Sequence, residues 1–516
     1  MRMYKLGAVL VLLSFLASAA APAETIPLPY FDPIKVEVGE KIELDAADVF
    51  GLKASEFREM VWRWGDGSLS RGIRASHVYQ APGVYYLRAS FVDLSGETRE
   101  RVTSVEVLSS REAGLSLTAN YECGLVGAHQ IRGDSVWVEV DGSNEFNFRI
   151  DNVPQDHPIY VHILGFSKGS GRMADWRWTI YPDVTTFSKR AGNFRVFIRS
   201  AVSEPWEKFL DESRFTIRDD EDENSFALHG RFESDHIYLS HTWSYGPGDR
   251  DIYLQRIETD PRITIDSIGE TAEGRPIKRV RVIDPESPLP PAKRFGVWFF
   301  STTHPNEMPN SVTIEAMIDG LLDPANADLL ARTAWNFIPI FNVDGAVRCG
   351  SSYNARQINL SQYPGGHDRT ENEPEIVAMQ AAIKDWFARG NRIDILNDMH
   401  TVAPSGTNIW FPIFPTEELA GPELKARYTD FGDNYLRKIF QFPWYGIESN
   451  RHSGAVGWMI DNFPDKKTLG MVVEIGQAEV LNGAEKVWIS DETLRIIGRD
   501  WLRVIDNYSK DQLKAE

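Results

Sequence analysis

The pattern of apolar and polar positions changes its period twice along this chain. A short, purely apolar run near the start gives way to alternating apolar and polar residues in brief stretches punctuated by Gly, Pro, Asp and Asn. That period of two predicts half-buried strands. Beyond about residue 252, apolar runs of strand length alternate with stretches whose apolar residues recur at helical spacing, which predicts an α/β block.

The alternating region divides in two. In residues 24–112, Val61-Trp62-Arg63-Trp64 leads into the tight turn Gly65-Asp66-Gly67-Ser68, and His77-Val78-Tyr79 and Ala81-Pro82-Gly83 follow. Strands are expected over 84–93, closed by Gly96, and over 102–107. Short strands at this spacing predict a small β-sandwich. In residues 113–248, strand-like runs recur at 136–140, 145–150, 159–163, 176–180, 194–198 and 237–240 with almost no helical periodicity, which predicts a second sandwich. The run Arg218-Asp219-Asp220-Glu221-Asp222-Glu223 reads as a solvated loop, because it lacks the Gly-shaped spacing of a calcium loop. In residues 249–516, strands are expected at 295–302, 335–341, 393–399 and 469–475, and helices at 311–322, 373–387, 417–440 and 491–508. The expected fold is therefore multidomain: two N-terminal β-sandwiches followed by an α/β domain with a mixed, mostly parallel sheet flanked by helices.

Residues 1–23 have the form of a secretory leader: Arg2 and Lys5, an apolar run over 6–17, then Ala21-Pro22-Ala23. The run is too short to span a bilayer comfortably, and no later stretch is apolar enough to do so. A secreted or periplasmic protein, with no stable membrane insertion once the leader is removed, is expected. The net charge of −19 repels phosphate and argues against nucleic acid as a partner. The two cysteines, Cys123 and Cys349, cannot frame a disulfide-built fold; they fall in different expected domains, and their pairing stays open.

Chemistry collects where apolar strands end. His304-Pro305-Asn306-Glu307, Asn342-Val343-Asp344-Gly345, Asp398-Met399-His400-Thr401 and Glu474-Ile475-Gly476 each follow or finish such a run. In an open α/β sheet the carboxyl ends of strands are where functional groups gather, so four clusters point to one site. An imidazole and a carboxylate three residues apart, completed by a distant second His, supply the two nitrogens and one carboxylate of a catalytic zinc site with a position left for water. A carboxylate at the end of a buried strand, Glu474, suits the part of general base, and partial desolvation there raises its pKa.

His-Pro-x-Glu, Asn-x-Asp-Gly, Asn359-Leu360 before Tyr363-Pro364, Asp-x-His-Thr and a late Glu-Ile-Gly occur in that order. The order resembles the zinc metallocarboxypeptidases of the carboxypeptidase A type, nearest the cytosolic-carboxypeptidase-like branch with its preceding β-domain. The lead-in Ile268-Gly269-Glu270-Thr271-Ala272-Glu273-Gly274-Arg275-Pro276-Ile277 resembles that family too, and the stretches around Trp176 and residues 238–245 loosely resemble its β-domain. The resemblance implies one zinc ion (Zn2+) held by His304, Glu307 and His400, with Glu474 as general base and acid. In the first block, Trp-x-x-Gly-Asp-Gly, His-x-Tyr, Pro-Gly and Asp-x-x-Gly resemble the polycystic-kidney-disease (PKD) domain. That implies an accessory part that spaces the enzyme or binds polymer or protein.

Departures from the family gather on one subsite. Ser361 and Gln362 stand where the family grips a terminal carboxylate with Asn-Arg, and Gln cannot copy a bidentate guanidinium. Asn359 replaces the Asp that orients the first zinc His. Ser352 falls at the position of the oxyanion Arg, which leaves Arg348 or Arg356 as replacements; Arg451 is a further cation for a C-terminus. The mobile Tyr position falls near Ser449, with Tyr445 and His452 as stand-ins, and Val456 lies where the family sets side-chain preference. The expected activity is hydrolysis of a peptide or amide bond, carboxypeptidase-like with an altered carboxylate subsite, on substrates that include cell-wall peptides. The alternatives are an amidase, deacylase or esterase on the same scaffold, and a non-catalytic extracellular binding protein.

Overall fold

The structure is a computed structural model that describes residues 33–111, 114–140, 146–164, 196–201, 204–208, 215–219, 224–349, 352–362, 370–402, 411–414, 417–442, 447–449, 454–476, 479–482 and 485–515. The leader assigned to residues 1–23, the strand expected at 176–180, and Tyr445, Arg451 and His452 lie outside the described residues.

Strict alternation builds the first block. Strand Gly83–Asp93 turns Tyr85, Leu87, Ala89 and Phe91 inward against Trp62 and Trp64. Five strands lie in the spatial order Ile34–Glu37, Thr98–Leu108, Gly83–Asp93, Phe57–Arg63, Leu69–Arg71, and a two-stranded sheet pairs Lys41–Asp45 with Arg74–Val78. The turn after Trp64 needs glycine twice over. Gly65 has φ +86°, and a Cβ there would lie 3.1 Å from the Tyr86 carbonyl.

The second block has two five-stranded sheets. One runs Phe215–Asp219, Asn224–Gly230, Ile159–Leu164, Ser135–Glu139, His129–Arg132; the other runs Glu207–Lys208, Phe197–Arg199, His236–Ser240, Asn147–Asp151, Ser116–Thr118. Val136, Val138, Phe148, Ile150, Val161 and Leu239 form their common core. The acidic run is not all loop. Arg218 and Asp219 pair with Ser225 and Asn224 in a ladder, so the charges start on a hairpin.

In the third block a six-stranded sheet has the order Ile263–Glu270, Pro276–Val282, Thr333–Ile338, Phe295–Ser301, Ile395–Val402, Leu469–Gly476. The last four strands are mutually parallel, and the first two add an antiparallel edge. Every residue of Phe295–Ser301 and Thr333–Ile338 is buried, which is why these strands read as continuous apolar runs rather than alternating ones. Helix Pro309–Leu322 packs on Asp491–Ala515, and Pro374–Ala388 on Gly454–Asn462. The helix expected at 417–440 is interrupted: Glu417–Asp430 widens into a π-helical turn at Phe431–Leu436 before Arg437–Ile439.

Helix Pro247–Ile257 straddles the boundary drawn at residues 248 and 249 from the sequence. It fastens the first block to the third: Tyr86 donates to Asp249 Oδ1 at 2.7 Å and Arg88 pairs with Asp251 at 2.6 Å. The main core continues across these boundaries, with Val84, Cys123, Trp206, Tyr238, Trp243 and Tyr245 clustering with the apolar residues of the α/β block. Among the described residues no helix is long and apolar enough to cross a membrane.

Candidate metal centre

The central strand Phe295–Ser301 ends at Thr302, whose φ of +59° turns the chain out of the sheet. Backbone bonds from Phe341 to Ser301 (2.9 Å) and Asn342 to Thr302 (3.2 Å) hold that exit against the neighbouring strand end. The Glu307 N–H then donates to the His304 carbonyl at 3.0 Å, and this turn brings both side chains together. The next strand over, Ile395–Val402, carries His400, and Glu474 stands opposite His400 in the parallel register with Leu469–Gly476.

The three groups converge. His304 Nδ1 lies 3.0 Å from Glu307 Oε1, His400 Nδ1 lies 2.8 Å from Glu307 Oε2, and the two Nδ1 atoms are 3.2 Å apart. Two nitrogens bound to one tetrahedral zinc at about 2.0–2.1 Å would stand roughly 3.3 Å apart, so this spacing fits the ion without rearrangement. Ligand atoms of all three residues lie within 4.8 Å of one another.

The opposite edges of both rings are turned to acceptors. His304 Nε2 faces Asn359 Oδ1 at 3.1 Å and Ser361 Oγ at 3.0 Å. His400 Nε2 lies 3.0 Å from Asp398 Oδ2, and Asp398 Oδ1 accepts from Thr303 Oγ1 at 2.8 Å. An acceptor at Nε2 keeps the proton there and leaves Nδ1 free to ligate. Glu307 Oε2 also accepts from Thr401 N at 2.9 Å, and Asn310 Nδ2 ties down the His400 carbonyl at 2.7 Å. Burial works to raise the Glu307 carboxyl, but the two imidazoles hold it well below the usual carboxylate range. Burial also works against charge on His400, yet Asp398 and Glu307 raise it well above the usual histidine value. At Glu474, burial first and the Glu307 carboxylate second push the carboxyl up to about 8; its Oε2 is buried without a hydrogen-bond partner.

Ser361, expected to touch substrate, donates its hydroxyl to Asn359 Oδ1 at 2.7 Å and its backbone N–H to the same oxygen at 2.9 Å, so it supports the acceptor behind His304. The Gln362 backbone closes a turn on Asn359 at 3.2 Å and accepts from Thr370 at 3.1 Å. Arg348 is half exposed and pairs with Glu273; Arg356, equally exposed, lies 3.7 Å from Glu373. Ser352 is partly buried and Ser449 lies on the short strand Ile447–Ser449. Val456 is fully buried, and its Cγ1 lies 2.7 Å from where a Cβ on Gly470 would stand, so it packs the sheet. Asp398, Thr303 and Asn310 carry no assignment from the sequence; the Asp-x-His spacing was the signal for the first of them.

Residues 251–372 match the family model described as zinc carboxypeptidase, Peptidase_M14, a zinc-dependent family. No curated protein matches the chain at a significant level. Among solved structures, the fold is similar to a metallo-carboxypeptidase from Burkholderia cenocepacia (TM-score 0.61, 18% identity, covering 77% of this chain and 99% of that one). It is similar also to a carboxypeptidase A described from Shewanella denitrificans (0.59, 16%, 77% and 99%). A third is a metallo-carboxypeptidase from Pseudomonas aeruginosa solved with (2-guanidinoethylmercapto)succinic acid (0.57, 15%, 77% and 100%). Coverage of 77% exceeds what the α/β block alone amounts to, so the shared fold reaches back into the β-rich region. The family match over the metal loop and the His-Glu-His group make the chain a zinc metallocarboxypeptidase-like hydrolase.

Proposed function

We propose that His304, Glu307 and His400 hold one zinc ion and that Glu474 is the general base and acid of a secreted peptide or amide hydrolase. One observation carries this reading: the register sets Glu474, partly buried, directly opposite His400, beside three groups whose ligand atoms already converge. Zinc, when bound, supplies the Lewis acidity that polarises a scissile carbonyl and acidifies water. Glu474, at the strand position opposite His400, is placed to take a proton from water and pass it to the departing nitrogen. Asn359 and Asp398 hold the imidazoles in one orientation throughout.

The carboxylate grip of ordinary carboxypeptidases is altered here. Ser361 is engaged by Asn359 and His304, and Arg348 and Arg356 face Glu273 and Glu373. That favours a second reading on the same site, an amidase, deacylase or esterase acting on a bond that is not C-terminal. We read the β-rich region as two sandwiches, the first PKD-like, and the chain as nearest the cytosolic-carboxypeptidase-like branch. The N-terminal apolar segment supports export to the periplasm or medium, where cell-wall peptides are substrates of the right chemistry.

Glu474→Gln tests the assignment. It is expected to keep about one zinc per chain by elemental analysis while hydrolysis falls about 10²–10⁴-fold. Full activity in that variant would remove Glu474 from the chemistry, and loss of zinc would make it a structural group. A panel of peptides with free and amidated C-termini separates the two readings: strict dependence on a free carboxylate excludes the amidase.

A further inference from the structure

Cys123 and Cys349 belong to different blocks and lie far apart in sequence, yet the fold brings them to one point. Cys123 follows the strand Ser116–Thr118 of the second block, and Cys349 caps the helix Val343–Arg348 of the third. The Cys123 N–H donates to the Val347 carbonyl at 2.9 Å. Its Sγ lies 3.1 Å from the Ala346 carbonyl, and that same carbonyl accepts from the Cys349 N–H at 3.2 Å. Both side chains are sealed from solvent, at 1% and 0% exposure. Cys349 holds a left-handed φ of 50°, rare for a non-glycine residue, so its side chain is aimed by a backbone that the helix end fixes. The other neighbour of Cys123 Sγ is Met308 Sδ at 3.7 Å, and Met308 directly follows the metal ligand Glu307.

We propose that Cys123 and Cys349 form a disulfide in the mature protein, a covalent tie between the β-rich region and the α/β block behind the metal loop. The neighbouring Cys349 thiol and burial together raise the Cys123 thiol well above its usual range. Such a thiol is a poor nucleophile once enclosed, so the bond forms while the chain folds or opens locally. The oxidant is another disulfide. One cysteine thiolate attacks it and releases one thiol; the second cysteine attacks the mixed disulfide and releases the other. Two protein thiols are oxidised, the small disulfide is reduced to two thiols, and these carry away both protons. Closing so long a loop restrains the unfolded chain, which is where a disulfide gains most of its stabilisation in the chain-entropy account.

The full-length soluble chain, equilibrated with reduced and oxidised glutathione in sub-denaturing urea, is alkylated in denaturant without reductant and analysed by peptide mass spectrometry. The expected result is a Cys123–Cys349 cross-linked peptide pair with neither cysteine alkylated. Reductant is then expected to lower the thermal midpoint by about 5 °C, and the Cys123→Ser/Cys349→Ser double variant to show no response to reductant. Alkylation of both cysteines, glutathione adducts without the cross-link, or cross-links only between chains would each overturn the proposal. The outcome does not depend on zinc or on hydrolysis, so it stands or falls apart from the functional reading.

Discussion

Behind His304 stands an amide, Asn359, where the family resemblance leads one to expect a carboxylate, and the Ser361 hydroxyl is spent on that amide. His400, by contrast, has the full charge of Asp398 behind it. The two imidazoles are thus held with unequal strength, and acceptors at this position commonly govern metal affinity by about 10–100-fold. Asn359→Ala is expected to weaken zinc binding by about that factor, and Asn359→Asp to strengthen it, as read by competition with a chromogenic chelator. Unchanged affinity in both variants would show that His304 is oriented by Ser361 alone. The grouping of His304, Glu307 and His400 was legible in the chain because His-x-x-Glu is local and the strand ends mark where it must point. The contacts that Ser361 and Asp398 make with the two histidines were not, since each joins loops and strands.

At the level of single elements, the helix Val343–Arg348 explains why the motif ends in glycine. A Cβ on Gly345 would lie 2.2 Å from Pro305 Cγ and 2.8 Å from Asn342 Oδ1, so the helix start packs directly beneath the His-Pro of the metal loop. Gly345→Ala is expected to leave the fold intact but displace Pro305, lowering zinc affinity by about tenfold or more in the same competition assay. Native affinity would mean the loop absorbs the methyl. A second element, the helix Pro309–Leu322, carries Glu315, buried and hydrogen-bonded to Tyr245 from the segment that links the blocks. Burial pushes its carboxyl up to about 8, with the Tyr245 hydrogen bond acting against this. A carboxyl raised in the folded state favours folding fully below its unfolded value of about 4.5, and that contribution is lost as pH rises through about 8. Stability to urea is therefore expected to fall between pH 5 and 9, by on the order of 3 kcal/mol from this group. Glu315→Gln, which keeps a hydrogen-bonding partner for Tyr245, is expected to flatten the profile. An identical slope in the variant would assign it to another raised carboxyl, Glu474 at about 8 or Glu122 at about 7. The strands and long helices were readable from periodicity, whereas the helix Pro247–Ile257 was not, because Arg250 and Asp251 are buried in it alongside Ile252, Tyr253 and Leu254, so polar and apolar positions do not separate into faces.

The whole molecule does not behave as beads on a string, although alternating and helical patterns separate its blocks cleanly in the sequence. Arg149 of the second block is completely buried, pairs with Asp151 at 2.6 Å, lies 3.7 Å from Glu106 of the first block, and donates to the Gly83 and Val107 carbonyls of that block. Tyr238 of the second block hydrogen-bonds Glu106 as well, and His236 lies 3.4 Å from it. A guanidinium this deep is tolerated only while its partners surround it; stripping partners from a buried pair costs about 3–5 kcal/mol. Deleting residues 1–112 would remove Glu106 and both carbonyls together with Val84 and Tyr86, and so uncover the surface that these two residues cover on the rest of the molecule. The shortened chain is accordingly expected to melt well below the full one and to expose apolar surface to a hydrophobic dye, with an Arg149→Met substitution in that shortened chain recovering part of the loss. If the deletion left the melting temperature unchanged, the first block would be an independent module after all, and the seam of Arg149, Glu106 and Tyr238 would contribute nothing to holding the catalytic block in place.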